Sequence, residues 1–325
     1  MSGVFVAWSR LSRRTVDLAG RLGLEVAFVP GGPPYLGAWL RTGRLLAERR
    51  PRLVAAQLPQ GPLLARLLGL RGRLGFRLVA DVHTGFLVYG SLAGRLLNAP
   101  FRGLLRKADL VVVHNEDMLR LLRGLNVDPE RALVVYDPIP APRRTRRPGL
   151  DVEPGRFLLL PASWAPDEPL ALAAEAFASS GLAPAGYKLV VTGDHQRRPR
   201  LAGRLSGVPG VVLSGHLPRA EYEWLLAHSA AVLALTTREY TVLSALWEAV
   251  AHGRPAVVSS TRTLRGLLGE DYPCLAPPTV GGLREAMVRC ARRAVGVGAW
   301  YSRLRRLSEG SLERLRGAVE ALQRR

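Results

Sequence analysis

Short runs of valine, leucine and alanine recur along this chain, each followed by a longer amphipathic stretch. They occupy 4–8, 24–29, 52–58, 76–82, 109–114 and 132–137, then 156–162, 187–193, 210–215, 230–236 and 255–260. Continuous apolar runs of this length suit strands buried on both faces, as in parallel sheets. The segments between them, among them 15–23, 37–50, 116–125, 170–180 and 221–229, have room for the crossover helices that parallel strands require. The alternation predicts a doubly wound α/β architecture.

The rhythm breaks once. Residues 138–155 hold five prolines and four arginines and have no apolar periodicity, which reads as a linker. The expected organisation is therefore a Rossmann-like domain over 1–138, a linker over 139–155 and a second Rossmann-like domain over 156–300, with a ligand cleft between the two. A closing helix over 301–325 is expected to return to the first domain. A length of 325 residues agrees with two domains of ~100–200 residues each. With 48% apolar and 22% charged residues, long disordered tracts are excluded.

Arginine interrupts every apolar run before the ~18 residues that a membrane span needs. No secretory signal is read at the start. Cys274 and Cys290 have no metal spacing and make a poor disulfide framework, so a reducing cytoplasm is the expected compartment. The net charge is +20, and 44 of the 46 basic residues are arginine. Residues 1–150 carry 24 basic and 10 acidic side chains, or +14, against 22 and 16, or +6, in the remainder. Such a field attracts nucleic acid, anionic lipid or a phosphate-bearing substrate. Nucleic acid is the weaker reading: no helix-turn-helix, zinc or RNA-recognition signature is present, and aromatics are only 6%.

In doubly wound sheets ligands bind beyond the carboxyl ends of the strands, so the candidate residues are sought there. After the first strand, Ser12 or Thr15 is placed to cap a helix and Arg13 to bind an anion. After the fourth, Asp81 and His83 stand two apart on extended chain and turn to one side, with Gly85 beside them. His83 and Asp81 are the catalytic candidates there. In the second half, Ser163 and Trp164 follow the first strand, and Gly193 and Asp194 follow another. Thr237, Arg238, Glu239 and Thr241 precede a helix that carries Glu248 and stops at Gly253 before Pro255. Thr237 or Thr241 is expected to cap that helix. Two carboxylates bracketing a helix start, beside Arg238 and free amides, suit a hydroxylated diphosphate ligand.

At these residues the chain resembles nucleotide-sugar-dependent glycosyltransferases of the GT-B type, family 4 in particular. Glu248-Ala249 followed by Gly253-Arg254-Pro255 matches that family's motif, whereas Glu239 stands one residue too far from Glu248 for its Glu-x7-Glu pattern. A narrower likeness to polysaccharide-type transferases rests on Trp8-Ser9 with Arg13, Asp81-x-His83-Thr84-Gly85, Asn115-Glu116, Asp137-Pro138-x-Pro140 and Thr236-Thr237-Arg238-Glu239. Ser163-Trp164-x-Pro166-Asp167-Glu168 is similar to a stretch of the chitobiosyl-diphosphodolichol β-mannosyltransferases. One departure stands out. The Arg and Lys with which family 4 members clamp the donor diphosphate are replaced here by the segment Ser163 to Glu168, leaving Arg238, Arg13 or backbone amides for that task.

The resemblance implies a hexosyltransferase that moves a sugar from a nucleoside-diphosphate sugar to a hydroxyl of a lipid-linked or polysaccharide acceptor. It would work in the cytoplasm, peripherally on the anionic inner membrane face. GDP-mannose is the donor that the mannosyltransferase likeness suggests, and no metal or other cofactor is implied. Glu239 as catalytic partner of Glu248 implies retention, while the mannosyltransferase likeness implies inversion. Glu248 is expected to bind the donor's ribose, with Ser163, Trp164, Gly193, Asp194, Thr237, Arg238, Thr241 and Arg13 around the rest of the donor. The Arg-flanked helices 62–75 and 92–107 are candidates to lie on the membrane. A basic nucleic-acid-binding protein and a sugar-nucleotide epimerase of the same fold are the competing readings. Steep salt dependence of DNA binding marks the first, and turnover without an acceptor marks the second.

Overall fold

A computed structural model describes residues 3–292 and 295–324. The chain divides into two compact units, one formed by residues up to Pro138 together with those from Leu307 onward, the other by Ile139–Arg306. In the first unit the strands are β1 (Gly3–Trp8), β2 (Glu25–Val29), β3 (Leu53–Leu58), β4 (Arg77–Val82), β5 (Leu110–Val113) and β6 (Ala132–Val134). The helices are α1 (Arg13–Leu22), α2 (Leu36–Arg49), α3 (Gly61–Leu74), α4 (Thr84–Leu87), α5 (Leu92–Asn98) and α6 (Glu116–Arg123). The six strands are all parallel, in the order β2-β1-β3-β4-β5-β6.

The second unit has β7 (Phe157–Leu160), β8 (Lys188–Thr192), β9 (Val211–Gly215), β10 (Ala231–Ala234), β11 (Ala256–Ser259) and β12 (Leu275–Ala276). Its helices are α7 (Leu170–Ala178), α8 (Pro199–Ser206), α9 (Arg219–His228), α10 (Ser244–His252), α11 (Arg262–Leu268), α12 (Val280–Arg292) and the first part of α13 (Gly298–Arg324). Its sheet is also parallel throughout, ordered β12-β11-β10-β7-β8-β9. This is the strand order of dinucleotide-binding folds, with the reversal between β7 and β10; the first sheet has the flavodoxin-like order, with the reversal between β1 and β3.

The apolar runs become strands for the reason their sequence implies. All residues of β1, β3, β5, β7, β10 and β11 are buried, since helices cover both faces of each sheet. On one face of the first sheet, Phe5, Leu18 and Leu53 pack with Leu315 and Val319 of α13. Ser311 Oγ accepts from the Tyr136 amide and Ser308 Oγ donates to the Asp137 carbonyl.

Several local features differ from the sequence reading. The 92–107 stretch is not one helix: α5 ends at Asn98 and a 3-10 segment, Ala99–Lys107, takes over at Pro100, which has no N–H to extend an α-helix. β12 is a two-residue strand, too short for any periodic signal. Cys274 and Cys290 form a disulfide, contrary to the expectation from their spacing, because α12 brings Cys290 back beside β12. Neither Thr237 nor Thr241 caps α10, which begins at Ser244 after Leu243 with no side-chain cap.

Candidate functional site

In the first unit polar side chains gather at the carboxyl ends of β1, β3, β4 and β6. Ser12 caps α1 by accepting from the Thr15 amide at 3.1 Å. Gln57, on β3, accepts from the Ser12 amide and the Thr15 hydroxyl, which fixes the turn out of β1. That turn sends the second residue of α1, Arg14, inward. Its Nε lies 3.1 Å from Asp81 and its Nη1 2.6 Å from Asp137. Side-chain exposure is 6% for Arg14 and 2% for Asp81, so this pair has been taken out of water. Arg13 is not brought to the cluster; it pairs with Asp17 one turn along α1, at 3.0 Å.

His83 lies beside this charge group, its Nε2 3.3 Å from Asp81 Oδ2. The extended backbone at His83, just ahead of α4, turns the two side chains to one side, as the spacing predicts. His114 approaches from the end of β5, its ring 6.3 Å from that of His83 and its Nε2 3.0 Å from the Thr84 hydroxyl. Burial works to raise the Asp81 carboxyl, but the Arg14 and His83 charges outweigh it and hold the group well below the usual carboxylate range. Burial and then the Arg14 charge push His114 down to about 4, so its imidazole is neutral at physiological pH. Asn115 caps α6 by accepting from the Met118 amide.

In the second unit the loops at the ends of β7 and β10 are laced together at the strand-order reversal. The Asp167 carbonyl accepts from the Thr237 amide at 2.8 Å, and Thr236 Oγ1 lies 3.2 Å from the Asp167 carboxylate. Arg238 donates its amide to Thr236 Oγ1. In the loop after β7, Glu168 folds back and accepts from the Ser163 amide, the Ser163 hydroxyl and the Ala165 amide. Trp164 adopts a left-handed conformation, is 2% exposed and donates its indole N–H to the Thr192 carbonyl. It therefore seals the end of the sheet from within.

Gly193, with φ of +86°, is obligatory: a Cβ there would sit 1.9 Å from the Ala162 carbonyl oxygen. Asp194, exposed, accepts from the Gln196 amide. The next turn carries Arg197, whose Nη1 donates to the Ser163 carbonyl at 2.7 Å. An arginine from the β8–α8 loop thus stands next to Ser163. Sequence reasoning missed both Arg197 and Arg14. Nothing distinguishes them from the other arginines except the loops that deliver them.

The two glutamates have different surroundings. Glu239 accepts from the Arg262 and Thr263 amides at the start of α11, at 3.1 and 3.3 Å. That attraction, together with Tyr240 at φ of +62°, keeps 237–243 irregular and delays the start of α10. Thr241 donates its hydroxyl to the Glu239 carbonyl. Glu248 turns toward α9, where it accepts from Tyr222 Oη at 2.5 Å and pairs with Arg219 at 3.2 Å. Burial and then the Glu248 charge push the Tyr222 phenol well above its ordinary value, so it stays a donor. Ser163, Trp164, Gly193, Thr237 and Arg238 thus gather at the ends of β7, β8 and β10, whereas Glu239 and Glu248 are each already hydrogen-bonded to a neighbouring helix. Among the described residues no group of three or more His, Cys, Asp or Glu side chains converges to hold a metal ion, and no helix is long and apolar enough to cross a membrane.

Comparison with known proteins gives this arrangement its context. A search of curated proteins returns no significant sequence match. Among solved structures, HepE of Anabaena, in complex with UDP and glucose, superposes with a TM-score of 0.76 at 15% identity, over 99% of this chain and 98% of that one. The lipopolysaccharide outer core galactosyltransferase WaaB gives 0.65 at 13%, over 99% of both chains. A glycosyltransferase of Rickettsia africae gives 0.65 at 12%, over 99% and 98%. At these identities the likeness establishes the fold. The sequence itself matches the "Glycosyl transferase 4-like domain" over residues 4–138 and "Glycosyl transferases group 1" over residues 158–293. The two matches cover the two units in turn, and the chain belongs to the family 4-like glycosyltransferases of the GT-B class.

Proposed function

We propose that this glycosyltransferase uses a nucleoside-diphosphate hexose as donor and a hydroxyl of a lipid-linked or polysaccharide glycan as acceptor, at the cytoplasmic face of the membrane. The observation that carries the donor half of the reading is the convergence at the ends of β7, β8 and β10. There the glycine-opened backbone at Gly193, the Ser163 and Thr237 hydroxyls and the Arg197 guanidinium lie at strand ends beside the place where strand order reverses, with Arg238 next in the chain after Thr237. Arginines and backbone amides suit a diphosphate without a metal. UDP bound to the HepE neighbour supports a uridine donor, and the Ser163–Glu168 likeness keeps GDP-mannose as its competitor. Glu248 holds the donor's ribose in this reading, by exchanging one of its present partners for a ribose hydroxyl.

In this reading His83 is the catalytic residue of the first unit. Asp81 lies against its Nε2 and favours either role of the imidazole. As a base, His83 takes the acceptor's proton while the acceptor oxygen bonds to C1 and the C1–O bond to the diphosphate breaks, giving inversion. As a hydrogen-bond donor to the transferred sugar, it accompanies retention. Product anomer analysis by NMR separates the two. The acceptor half of the reading is supported by the +14 charge of the first 150 residues, which matches an anionic leaflet or a diphosphate-linked lipid.

A thermal-shift screen against UDP-, GDP-, ADP- and dTDP-sugars tests the donor. A ligand at about 100 times its Kd stabilises the folded state by ~2.7 kcal/mol, and one family of donors is expected to do so. Absence of any shift, with no acceptor-dependent release of nucleoside diphosphate, refutes the reading.

A further inference from the structure

The two helices singled out in the sequence as membrane candidates behave differently in the fold, and a third joins them. In α3, Leu63, Leu64 and Leu67 are fully buried and Leu68, Leu70 and Leu74 are half-buried, so 62–75 presents no fully exposed leucine. The helices flanking it do. α2 exposes Leu36 (69%) and Leu40 (58%), one turn apart; α5 exposes Leu92 (71%) and Leu96 (69%), also one turn apart. An isolated exposed leucine needs no explanation, but paired leucines on two neighbouring helices do.

Topology places both pairs on one side of the sheet. The crossovers β2→β3, β3→β4 and β4→β5 advance in one direction, so with right-handed connections α2, α3 and α5 cover the same face, and α1 covers the other. α3 contacts both flanking helices: Arg66 stacks over Trp39 of α2, and the Gly61 amide donates to Asn98 of α5. Both pairs also lie toward the carboxyl edge of the sheet, since α2 starts beyond β2 and α5 follows α4 beyond β4.

The chain around these leucines is entirely cationic. Residues 26–47 contain Arg41 and Arg44 and no acid; residues 82–108 contain Arg95, Arg102, Arg106 and Lys107 and no acid. Exposed leucines in acid-free, arginine-bearing tracts, on helices too short to span, are the pattern of a surface that rests in the headgroup region of an anionic bilayer. A protein partner would not require two acid-free tracts, and a soluble polyanion would not use four leucines.

We infer that Leu36, Leu40, Leu92 and Leu96, with the arginines beside them, form the surface by which this protein docks on an anionic phospholipid bilayer. The inference rests on the membrane-face reading above and deepens it. Docking bears on the site, because α5 is tied to the His83 loop: Asn98 Nδ2 donates to the Gly85 carbonyl at 3.2 Å, two residues after His83. A hydroxyl carried on a membrane lipid would reach the protein beside that loop.

Vesicle co-sedimentation of the full chain tests this. Wild-type protein is expected to bind phosphatidylglycerol-containing vesicles, to bind phosphatidylcholine vesicles weakly, and to be released by ~0.5 M salt, where charges are screened within a few ångströms. Replacing the four leucines by serine is expected to weaken binding by about tenfold per leucine. Val16→Ser, at a 43% exposed site on α1, is the control and should change nothing. Retained vesicle affinity in the four-leucine variant, or an equal loss in the control, overturns the inference. Nucleotide-sugar thermal shifts run on the same variants keep the two proposals apart. Unchanged shifts with lost vesicle binding support the docking surface, whereas vesicle binding without any nucleotide response sinks only the donor reading.

Discussion

Replacing Arg14 by methionine isolates the electrostatics on which the first unit's polar cluster depends. The guanidinium is the cation shared by Asp81 and Asp137, at 3.1 and 2.6 Å, and both it and Asp81 are almost entirely buried. Methionine keeps most of the side-chain volume, so the change is one of charge. Removing one partner of a buried ion pair leaves the other desolvated and uncompensated, which costs ~3–5 kcal/mol. Among the described residues Asp81 then keeps His83 as its partner, at 3.3 Å.

The pH dependence carries the sign. In the wild type the Asp81 carboxyl is held low, so its contribution is fully present above the ordinary carboxylate range near ~4 and is lost as pH falls through the folded value. Without Arg14, burial dominates and the carboxyl moves up. The destabilisation is then largest at pH 7 and shrinks toward pH 4.5, as Asp81 takes up a proton. Urea unfolding at both pH values, with amide exchange of β4 to localise the effect, measures this. A second substitution, Asp81→Asn in the Arg14→Met background, should recover part of the stability at pH 7 by removing the orphaned charge. A loss below ~1 kcal/mol at pH 7, or one that does not diminish on acidification, would refute the account of a charge-compensated buried cluster.

His83→Ala should lower turnover ~10²–10⁴-fold while leaving the nucleotide thermal shift intact, since Glu248 and the β7–β10 loops belong to the other unit; near-normal turnover removes His83 from the chemistry. Glu248→Gln should weaken nucleotide binding by ~1.5–3 kcal/mol, the worth of a charge-assisted hydrogen bond, and calorimetric titration with the nucleoside diphosphate checks it. His114, pushed down to about 4 from an ordinary ~6.5, favours the fold while neutral; that stability is present above pH ~6.5 and drains as pH falls toward 4. His114→Asn should flatten this slope in acid-titrated melting curves. Gly193→Ala forces a Cβ against the Ala162 carbonyl at a positive φ, so a loss of several degrees in Tm is expected, and an unchanged Tm would mean the loop shifts freely.

What is legible in the amino-acid sequence is what each element carries within itself. The eleven apolar runs are local, and a strand buried on both faces must be apolar whatever its neighbours are; β12, two residues long, carries no such signal. The helices between the runs and the placement of Asp81 beside His83 likewise follow from periodicity, the latter from a two-residue period. Burial of a charge is not local. Arg13 and Arg14 are identical in type and adjacent. Only the turn held by Ser12 and Gln57, and the arrival of β4 and β6 with Asp81 and Asp137, decide that Arg14 goes inside and Arg13 stays with Asp17.

The same holds for the two glutamates. The motif around Glu248 and Gly253 is legible, but Tyr222 and Arg219 of α9 set where its carboxylate points, and the Arg262 and Thr263 amides at the start of α11, by donating to Glu239, draw it away from the helix it precedes. Cys274 and Cys290 meet because α12 runs back past β12, a fact that their sixteen-residue separation does not encode. Likewise, the leucines of α3 and α5 are alike in sequence, and only packing sorts them into core and surface. Periodicity and composition determine the class of fold because they act within one element. Which charge, thiol or leucine meets which partner depends on elements far apart in sequence, and only the tertiary structure brings those together.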